Sequence, residues 1–380
     1  MIMENTNIKK KFKGLEIAMD NIRLEEQLIP KGFDISNMPY KPLDYFKKYG
    51  FKVSSLFPAL YYKYNGIQSD KYIPASLYFY YITPYLVNMN LSLAYMDKNM
   101  YGRLFPKVRQ PHTIVHNMNG RFYLPSGMEM QMEDCLKLLH ELERFIIKPA
   151  IESGRGRDVK MINGHLFQPE IKEILSFYQS NYIIQDVVCQ HEVMARLNST
   201  SLNTCRLYTY RRVGTQEYIL LGAAVRFGGN GSYRDNACTG GGLCKIYDSG
   251  EIDDTIYRFS SFDKGSLKEQ KGLAHQCVPN YGKVIETCMS LHKSLPYLDL
   301  IGWDMAIGED GEPVLIELNQ YPDCEFIQIF NGPMFGEYTD ELLERIQHHR
   351  TEIIAVAKRS FENGPKQYDY NFEIGKQYSI

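Results

Sequence analysis

The most informative segment of the chain runs from Leu300 to Asn319, LIGWDMAIGEDGEPVLIELN. It consists of two short apolar stretches joined by a glycine-containing turn, which predicts a β-hairpin. Asp304 lies on the first predicted strand, and Glu317 and Asn319 lie two residues apart on the second, where they face the same side. Their oxygen atoms can converge on one point, and such a set suits Mg²⁺. A surface hairpin with solvated polar residues is the alternative.

A second segment places a lysine beside a glycine-rich loop. Phe145 to Pro149, FIIKP, has the pattern of a short buried strand that carries Lys148, and Glu152 to Arg157, ESGRGR, follow it. A lysine at a strand end can place its ammonium on a phosphate, while backbone N–H groups of the loop approach the same anion. A flexible turn with solvated arginines is the alternative for this loop.

The third segment is Tyr182 to Val188, YIIQDVV, which follows a helix-like run from Glu170 to Tyr178. We predict a strand that ends in polar residues. At such a strand end, a purine is recognised by hydrogen bonds with backbone amides and with one or two side-chain acceptors. Gln185, Asp186 and the backbone of Val188 fit that role. An ordinary edge-strand terminus is the alternative.

The order of these three segments resembles that found in the ATP-grasp superfamily. The residues within them are similar to those of the sugar-transfer-associated ATP-grasp group. Four further sequence segments support the resemblance: DKNMYGRLF at 97–105, SLNTCRLYT at 201–209, VRFGGNGSYRDN at 225–236 and GGGL at 240–243. The resemblance covers residues 72–336. It implies an α/β (α+β) protein with an ATP-grasp core and an N-terminal, mainly helical region.

The resemblance also implies roles for individual residues. Lys148 would contact the nucleotide phosphates, the glycine-rich loop would close over them, and Gln185 with Val188 would hold the adenine. Asp304, Glu317 and Asn319 would hold one or two Mg²⁺ ions that bridge the phosphates. The predicted nucleotide-binding residues are Lys148, Ser153, Gly154, Arg155, Gly156, Gln185, Asp186, Val188 and His191.

His191 has three competing interpretations. It could hydrogen-bond the ribose, Glu192 could do so instead, or His191 could be a helix-start histidine with only a structural hydrogen bond. Asp235 and Asn236 likewise either order around substrate or metal, or stabilise a plain turn.

The sequence departs from the superfamily pattern at two places. Many carboxylate-amine ligases of the superfamily have an arginine two residues before the first metal carboxylate, and here that position is Gly302. We therefore predict that Arg206 and Arg226 stabilise the transferred phosphoryl group. The lysine that usually precedes the nucleotide-binding domain has no clear counterpart, and Lys98 or Arg103 could replace it.

The resemblance implies an ATP-dependent ligase that forms an amide (C–N) bond through an acyl phosphate, with ATP and Mg²⁺ as cofactors. The expected partners are small-molecule carboxylate and amine substrates, sugar-linked ones among them, in polysaccharide or secondary-metabolite biosynthesis. An acyl phosphate hydrolyses readily, so a closing glycine-rich lid that excludes water would be useful. Two alternatives stay open: a kinase that phosphorylates a small-molecule or sugar hydroxyl, and a nucleotide-binding scaffold without turnover.

Composition narrows the class of protein. At 380 residues the chain is too long for one ordinary core, so we expect two or three subdomains, and a hydrophobic fraction of 44% is enough to fill them. A net charge of −2 and a pI near 6.5 provide no global basic field, so we expect no nucleic acid partner.

The cysteine pattern predicts reduced thiols in a cytoplasmic protein, because there is no CxxC pair and no secretory signal pattern at the N-terminus. Cys324, in NQYPDCEF, is interpreted as a small apolar filler rather than a nucleophile, since no histidine lies beside it in the chain.

The predicted organisation has three parts: residues 1–95, mainly helical; residues 96–335, the core, with a nucleotide-binding part at 130–215 and a metal-binding part at 216–335; and residues 336–380, a helix and a polar tail. The tyrosine-rich segment Ile73 to Tyr95 is interrupted by prolines and asparagines, so we expect no membrane span. We predict packed helices there, with a tyrosine-lined ligand groove as the alternative. Helices are also predicted up to Leu28, from near Ser126, and from Asp340 to Lys358.

Overall fold

The computed structural model describes residues 42–51, 53, 56–88, 90–151, 158–229, 231, 240–258 and 263–353. Within these ranges the chain forms two antiparallel sheets with helices packed against them, preceded by a helical N-terminal region. The predicted mixture of helices and sheets is confirmed. The chain passes from one sheet to the other after residue 185, and the predicted domain boundaries themselves stay predictions.

The described part of the N-terminal region is helical and packed, as predicted. Its elements are α1 (Pro42–Lys47), α2 (Leu56–Asn65), α3 (Ala75–Leu77), a π-helical turn (Tyr78–Ile82), α4 (Thr83–Leu86), two 3₁₀ turns (Leu93–Met96 and Lys98–Met100) and α5 (Tyr101–Leu104). Tyr61, Tyr72 and Tyr78 are fully buried, so these tyrosines fill a core rather than line a groove. Across the described ranges, no helix combines the length and the apolar run that crossing a bilayer requires. The helix predicted to end near Leu28 lies outside the described residues.

The smaller sheet has six strands in the order β3-β2-β1-β6-β4-β5. They are β1 (Thr113–Met118), β2 (Arg121–Tyr123), β3 (Glu129–Met130), β4 (Arg144–Pro149), β5 (Lys160–Asn163) and β6 (Tyr182–Gln185). Helices α6 (Met132–His140) and α7 (Gln168–Tyr178) contribute their apolar faces to the core of this sheet. The predicted turn at Asn119 and Gly120 is confirmed, since both residues have positive φ and join β1 to β2.

One helix begins later than predicted. We expected a helix from near Ser126, but Glu129–Met130 pairs with β2 as an extended strand, and α6 begins only at Met132. The backbone groups that hydrogen-bond to a neighbouring strand are not available to a helix, so the pairing delays the helix start. Leu136 and Leu139 lie on the buried face of α6, in agreement with the predicted apolar stripe.

The larger sheet has seven strands in the order β11-β10-β9-β8-β7-β12-β13. They are β7 (Thr204–Arg211), β8 (Tyr218–Phe227), β9 (Gly242–Ile246), β10 (Thr255–Arg258), β11 (Asp263–Ser266), β12 (Leu300–Ile307) and β13 (Pro313–Asn319). The described helices between these strands and before β7 are α8 (Glu192–Leu197), α9 (Leu267–Lys271) and α10 (Tyr281–Lys293). Every residue of β12 is buried, and β12 pairs with β13 as the predicted hairpin, which is therefore confirmed.

The C-terminal helices hold the N-terminal region to the larger sheet. They are α11 (Cys324–Asn331), a 3₁₀ turn (Gly336–Tyr338) and α12 (Thr339–His348). The buried side chain of Gln328 donates to the backbone oxygen of Ile73 (2.9 Å) and accepts from its N–H (2.7 Å), so one amide completes both backbone bonds of that residue. The described cysteines form no disulfide with one another. The part of the predicted last helix beyond residue 353, and the polar tail, lie outside the described residues.

Candidate active site

The three predicted metal ligands meet on the β12–β13 hairpin. Asp304 lies directly opposite Glu317 in the register of the two strands, and Asn319 follows two residues later on the same face. The Asn319 side-chain amide donates to Asp304 Oδ2 at 3.3 Å. Asp304 is buried, whereas 24% of the Glu317 side chain is exposed. The hairpin therefore gathers two carboxylates and one side-chain amide at one place, with Glu317 on its solvent side.

Both predicted arginines converge on Asp304. Arg206 lies beside Asp304 in the pairing of β7 with β12, and it donates from Nε to Oδ1 (2.6 Å) and from Nη2 to Oδ2 (3.1 Å). Arg226, on the next strand β8, places Nη1 3.4 Å from Asp304 Oδ1. Burial alone would raise the pKa of Asp304, but the two guanidinium groups hold it below its ordinary value.

A buried lysine joins the two sheets. The backbone N–H of Lys98 donates to the oxygen of Ala150, directly after β4, at 2.9 Å, and its ammonium lies 2.8 Å from Glu317 Oε1. Lys98 thus connects the strand that carries Lys148 to the strand that carries Glu317. Of the two replacements considered for the family lysine, Lys98 lies at the site, whereas Arg103 is exposed.

Lys148 lies beside this contact and is almost completely buried, with 8% of its surface exposed. Burial and, to a smaller extent, the neighbouring Lys98 lower the pKa of the Lys148 ammonium to about 8, although Glu317 partly opposes both effects. Two buried ammonium groups with one carboxylate between them leave positive charge at the junction of the sheets. An anion such as a phosphate would offset that charge.

The donor set fits Mg²⁺ by its chemistry, because carboxylate and amide oxygens are hard ligands and Mg²⁺ takes its remaining ligands from water and phosphate. In the described part of the chain, no three His, Cys, Asp or Glu side chains gather in a way that could hold a metal alone. Asp304 is already bonded to Arg206, and Glu317 to Lys98. A metal ion at this hairpin would therefore share each carboxylate with a cationic side chain.

The predicted adenine residues lie at the end of β6, in the smaller sheet. Gln185 is buried, and its amide nitrogen donates to Thr113 Oγ1 at 3.2 Å and to the backbone oxygen of Pro111 at 3.3 Å. Its Oε1 atom is buried without a hydrogen-bond partner among the described residues. A buried acceptor without a donor is costly, so this atom marks a position where a ligand N–H would be favourable.

The remaining described residues predicted to bind the nucleotide follow Gln185 in the chain. Asp186 is exposed and lies 3.0 Å from the Nδ1 atom of His112, while Val188 is half-buried just beyond β6. His191 occupies the N-cap position of α8, where its Nδ1 atom accepts from the backbone N–H of Val193 at 3.2 Å. That contact is the structural alternative considered for this histidine. Its role toward the ribose stays a prediction.

The predicted glycine-rich residues Ser153, Gly154, Arg155 and Gly156 lie outside the described residues, as do Asp235 and Asn236. Cys324 is fully buried at the start of α11, which agrees with its interpretation as an apolar filler. The predicted roles of the glycine-rich loop stay predictions.

Two residues of the site were not predicted. Asp323 Oδ2 accepts from Arg206 Nη1 at 3.3 Å, and Tyr208 lies two residues after Arg206 on the same face of β7. A signal for each was present in the sequence. Asp323 follows the ELN motif within the polar segment NQYPDCEF, and Tyr208 continues the alternation that begins with Arg206.

Comparison with known proteins gives one family and several remote structural similarities. The family model described as sugar-transfer associated ATP-grasp matches residues 89–342. No curated protein matches the chain.

Among solved structures, the ATP-grasp ligase PsnB, complexed with a phosphomimetic variant of its minimal precursor, Mg and ADP, is 13% identical, with a TM-score of 0.35 over 68% of this chain and 59% of that chain. D-alanine–D-alanine ligase from Bacillus anthracis is 13% identical, with a TM-score of 0.37 over 67% and 69% of the two chains. D-alanyl-alanine synthetase A from Vibrio cholerae is 12% identical, with a TM-score of 0.38 over 72% and 66%. The match therefore spans less than two thirds of the PsnB chain, and similarities this remote do not establish a shared reaction.

Proposed function

Since this chain belongs to the sugar-transfer-associated ATP-grasp family, we propose that it is an ATP-dependent ligase that joins a small-molecule carboxylate to an amine. The family match confirms the resemblance predicted from the sequence, and with it the ATP-grasp core. The reaction, its substrates and its setting, polysaccharide or secondary-metabolite assembly, belong to the proposal.

The observation that carries the proposal is the position of Lys98 between the two sheets. Its backbone is bonded to the end of the Lys148 strand and its ammonium to Glu317. This contact fixes Lys98 near a second buried lysine, Lys148, and directs the Lys98 ammonium toward Glu317 of the hairpin. A triphosphate with a divalent cation matches such an arrangement, because its charge can lie between ammonium groups on one side and metal-type oxygens on the other.

The proposed reaction has two steps. First, a carboxylate oxygen of the acid attacks the γ-phosphorus of ATP, the bond from that phosphorus to the β–γ bridging oxygen breaks, and ADP leaves. Next, the amine nitrogen attacks the acyl carbon, the bond from that carbon to the phosphate oxygen breaks, inorganic phosphate leaves, and the nitrogen gives up a proton. The amide that forms contains one acyl group and one amine.

The side chains of this site supply cations where negative charge develops. Lys148 and Lys98 are proposed to hold the phosphates, and Arg206 and Arg226 to face the transferred phosphoryl group from the opposite strands. Charge on a phosphoryl group in transfer spreads over its oxygens, so fixed cations lower the barrier without reorganising during the reaction. Gln185 is proposed to accept an N–H of the adenine. Mg²⁺, held by Asp304, Glu317 and Asn319, would neutralise phosphate charge when bound.

The proposal is tested by ADP release from ATP and Mg²⁺ with a panel of carboxylic acids and amines. A ligase releases ADP only when both an acid and an amine are present, or when hydroxylamine replaces the amine and traps the acyl phosphate as a hydroxamate. A stable phosphorylated product formed without any amine would instead identify a kinase. Nucleotide binding without turnover in every mixture would identify a scaffold.

Two variants of the same hairpin provide a matched pair for this assay. Glu317→Gln removes a carboxylate that lies against Lys98, and Glu312→Gln removes one that lies against Lys283 at the exposed turn. We expect Glu317→Gln to lower kcat by roughly 100-fold or more, because several kcal/mol of charge stabilisation are lost. Glu312→Gln should keep wild-type turnover. Equal effects of the two substitutions would contradict the assignment of Glu317.

A further inference from the structure

A cavity of about 300 Å³ lies beside β8, at a part of that strand that β9 does not reach. β8 begins at Tyr218, but its pairing with β9 begins only at Ala223, which lies opposite Ile246, the last residue of β9. Among the described strands, the earlier part of β8 therefore pairs with β7 on one side only. Leu221, Gly222 and Ala223 line the cavity. Backbone groups along an uncovered strand edge are available for hydrogen bonds with a ligand.

Two side chains of opposite charge line this cavity without pairing with each other. Lys245, on β9, places its ammonium 5.4 Å from the centre of the Tyr247 ring. Asp248 follows in the exposed turn after β9. Within the described part of the chain, neither charged group forms an ion pair. The two charges are therefore free to pair with a ligand that carries a charge of each sign.

Asn331 and Gly222 form one wall of the cavity. The amide nitrogen of Asn331, the last residue of α11, donates to the backbone oxygen of Leu221 at 2.8 Å. A Cβ on residue 222 would lie 3.0 Å from the same nitrogen, so the glycine allows α11 to approach the strand this closely. This wall is held by the fold itself, and a preformed site loses less free energy on binding than one that must be ordered.

The cavity is distinct from the candidate active site, although both involve the larger sheet. Ala224 pairs with Arg206 on one side and with Lys245 on the other, so Lys245 lies two strand spacings, or about 10 Å, from Arg206. Asp323, at the start of α11, contacts Arg206, whereas Asn331, at the end of α11, lines the cavity. A ligand in the cavity would therefore not occupy the place proposed for the transferred phosphoryl group.

We propose that this cavity binds a free α-amino acid, whose carboxylate pairs with Lys245 and whose ammonium pairs with Asp248. An α-amino acid carries both charges on one small molecule, so it matches two charged groups that do not pair with each other. The volume lies at the lower end of the range for ligand pockets, about 300–1,000 Å³, and suits a ligand of this size. A polyanion would place negative charge beside Asp248 and is disfavoured. This inference goes beyond the proposed ligase reaction and does not depend on it.

Binding is measured on the full chain by isothermal titration without nucleotide. The probes are glycine, L-serine and L-glutamine. Each is compared with the amine that lacks its carboxylate (methylamine, ethanolamine, 4-aminobutanamide) and with the acid that lacks its amino group (acetate, 3-hydroxypropanoate, 4-carbamoylbutanoate). We expect at least one amino acid to bind, and both of its counterparts to bind about 10-fold or more weakly, because each loses one charge-assisted hydrogen bond. No binding of any of these amino acids at about 10 mM would overturn the proposal.

Substitutions of the two charged residues test the position of the amino acid. Lys245→Met and Asp248→Asn should each weaken its binding about 10-fold or more. Lys264→Met is the matched control, because the Lys264 ammonium also lies over a tyrosine ring, 5.9 Å from the centre of the Tyr257 ring. Wild-type affinity in both Lys245→Met and Asp248→Asn, or an equal loss of affinity in Lys264→Met, would overturn the proposal.

One further variant separates this cavity from the candidate active site. Glu317→Gln should bind the amino acid as tightly as the wild type does, because Glu317 lies at the candidate active site and not at the cavity. Amino acid binding that is lost in Glu317→Gln and kept in Lys245→Met would place the amino acid at the candidate active site. That result would overturn this inference and leave the ligase proposal standing. Conversely, a wild type that binds the amino acid but releases no ADP in any mixture would support the cavity and count against the ligase.

Discussion

Nucleotide affinity is expected to depend on the protonation of Lys148. Burial lowers the pKa of this ammonium to about 8 in the free protein. A bound phosphate favours the charged lysine, so binding is strongest below pH 8 and weakens as the pH rises through that value. About nine-tenths of Lys148 is charged at pH 7 and about one-tenth at pH 9, so the Kd for ADP should rise about 10-fold between them, or about 1.4 kcal/mol.

Isothermal titration with ADP at both pH values measures this change. Lys148→Arg keeps a charge at both, so its Kd should change much less between pH 7 and pH 9. Lys148→Met should weaken binding about 10-fold or more already at pH 7, through loss of a charge-assisted hydrogen bond. Lys137→Met is the control, because Lys137 is an exposed lysine of α6. A wild-type Kd that is the same at pH 7 and pH 9, or a Lys148→Arg slope as steep as the wild type's, would refute the assignment.

Three further expectations concern stability, measured as the free energy of unfolding in urea. Burial lowers the pKa of His292 from 6.5 to about 4, so the unfolded chain takes up the proton before the folded chain as the pH falls. The free energy of unfolding should therefore fall by about 3 kcal/mol between pH 7 and pH 4. The substitution His292→Gln should remove that part of the pH dependence. Gln328→Ala should cost about 2–4 kcal/mol, because it leaves the buried N–H and oxygen of Ile73 unpaired. Gly302→Ala should cost about 1–3 kcal/mol, because its Cβ would lie 2.6 Å from Pro322 Cβ.

Local pattern was sufficient to predict the elements that carry the site. The alternation of Asp304, Glu317 and Asn319 with apolar neighbours predicted a hairpin and its polar face, and the structure has both. The run of apolar residues around Lys148 predicted its strand. In each case the information lies within one short continuous segment of the chain, the range over which strand periodicity and turn chemistry act.

Contacts between distant parts of the chain could not be predicted in the same way. Arg206 and Asp304 are 98 residues apart, and only the pairing of β7 with β12 brings them together. The choice between Lys98, in a 3₁₀ turn, and Arg103, on α5, depended on which of the two faces the junction of the sheets. The helix expected near Ser126 began later because Glu129 and Met130 pair with β2, a nearby strand that the helical pattern of the segment itself does not reveal. The periodicity of one segment does not show which other strand or side chain that segment will contact in the folded protein.

The packing of the loop that carries Asp323 explains why position 302 is a glycine and not an arginine. Gly302 lies two residues before Asp304 on the same face of β12, and its hydrogen faces Pro322, so a longer side chain would have to expel that loop. Tyr78 holds the loop in place by donating to the oxygen of Pro322 at 2.6 Å. The arginine that many carboxylate-amine ligases of the superfamily have two residues before the predicted metal ligand therefore cannot be supplied by β12. Arg206 meets the same carboxylate from the neighbouring strand, and it also reaches Asp323. Gly302, the Pro322 loop and Arg206 thus form one arrangement, in which Arg206 contacts Asp304 from the neighbouring strand and also contacts Asp323 of the loop.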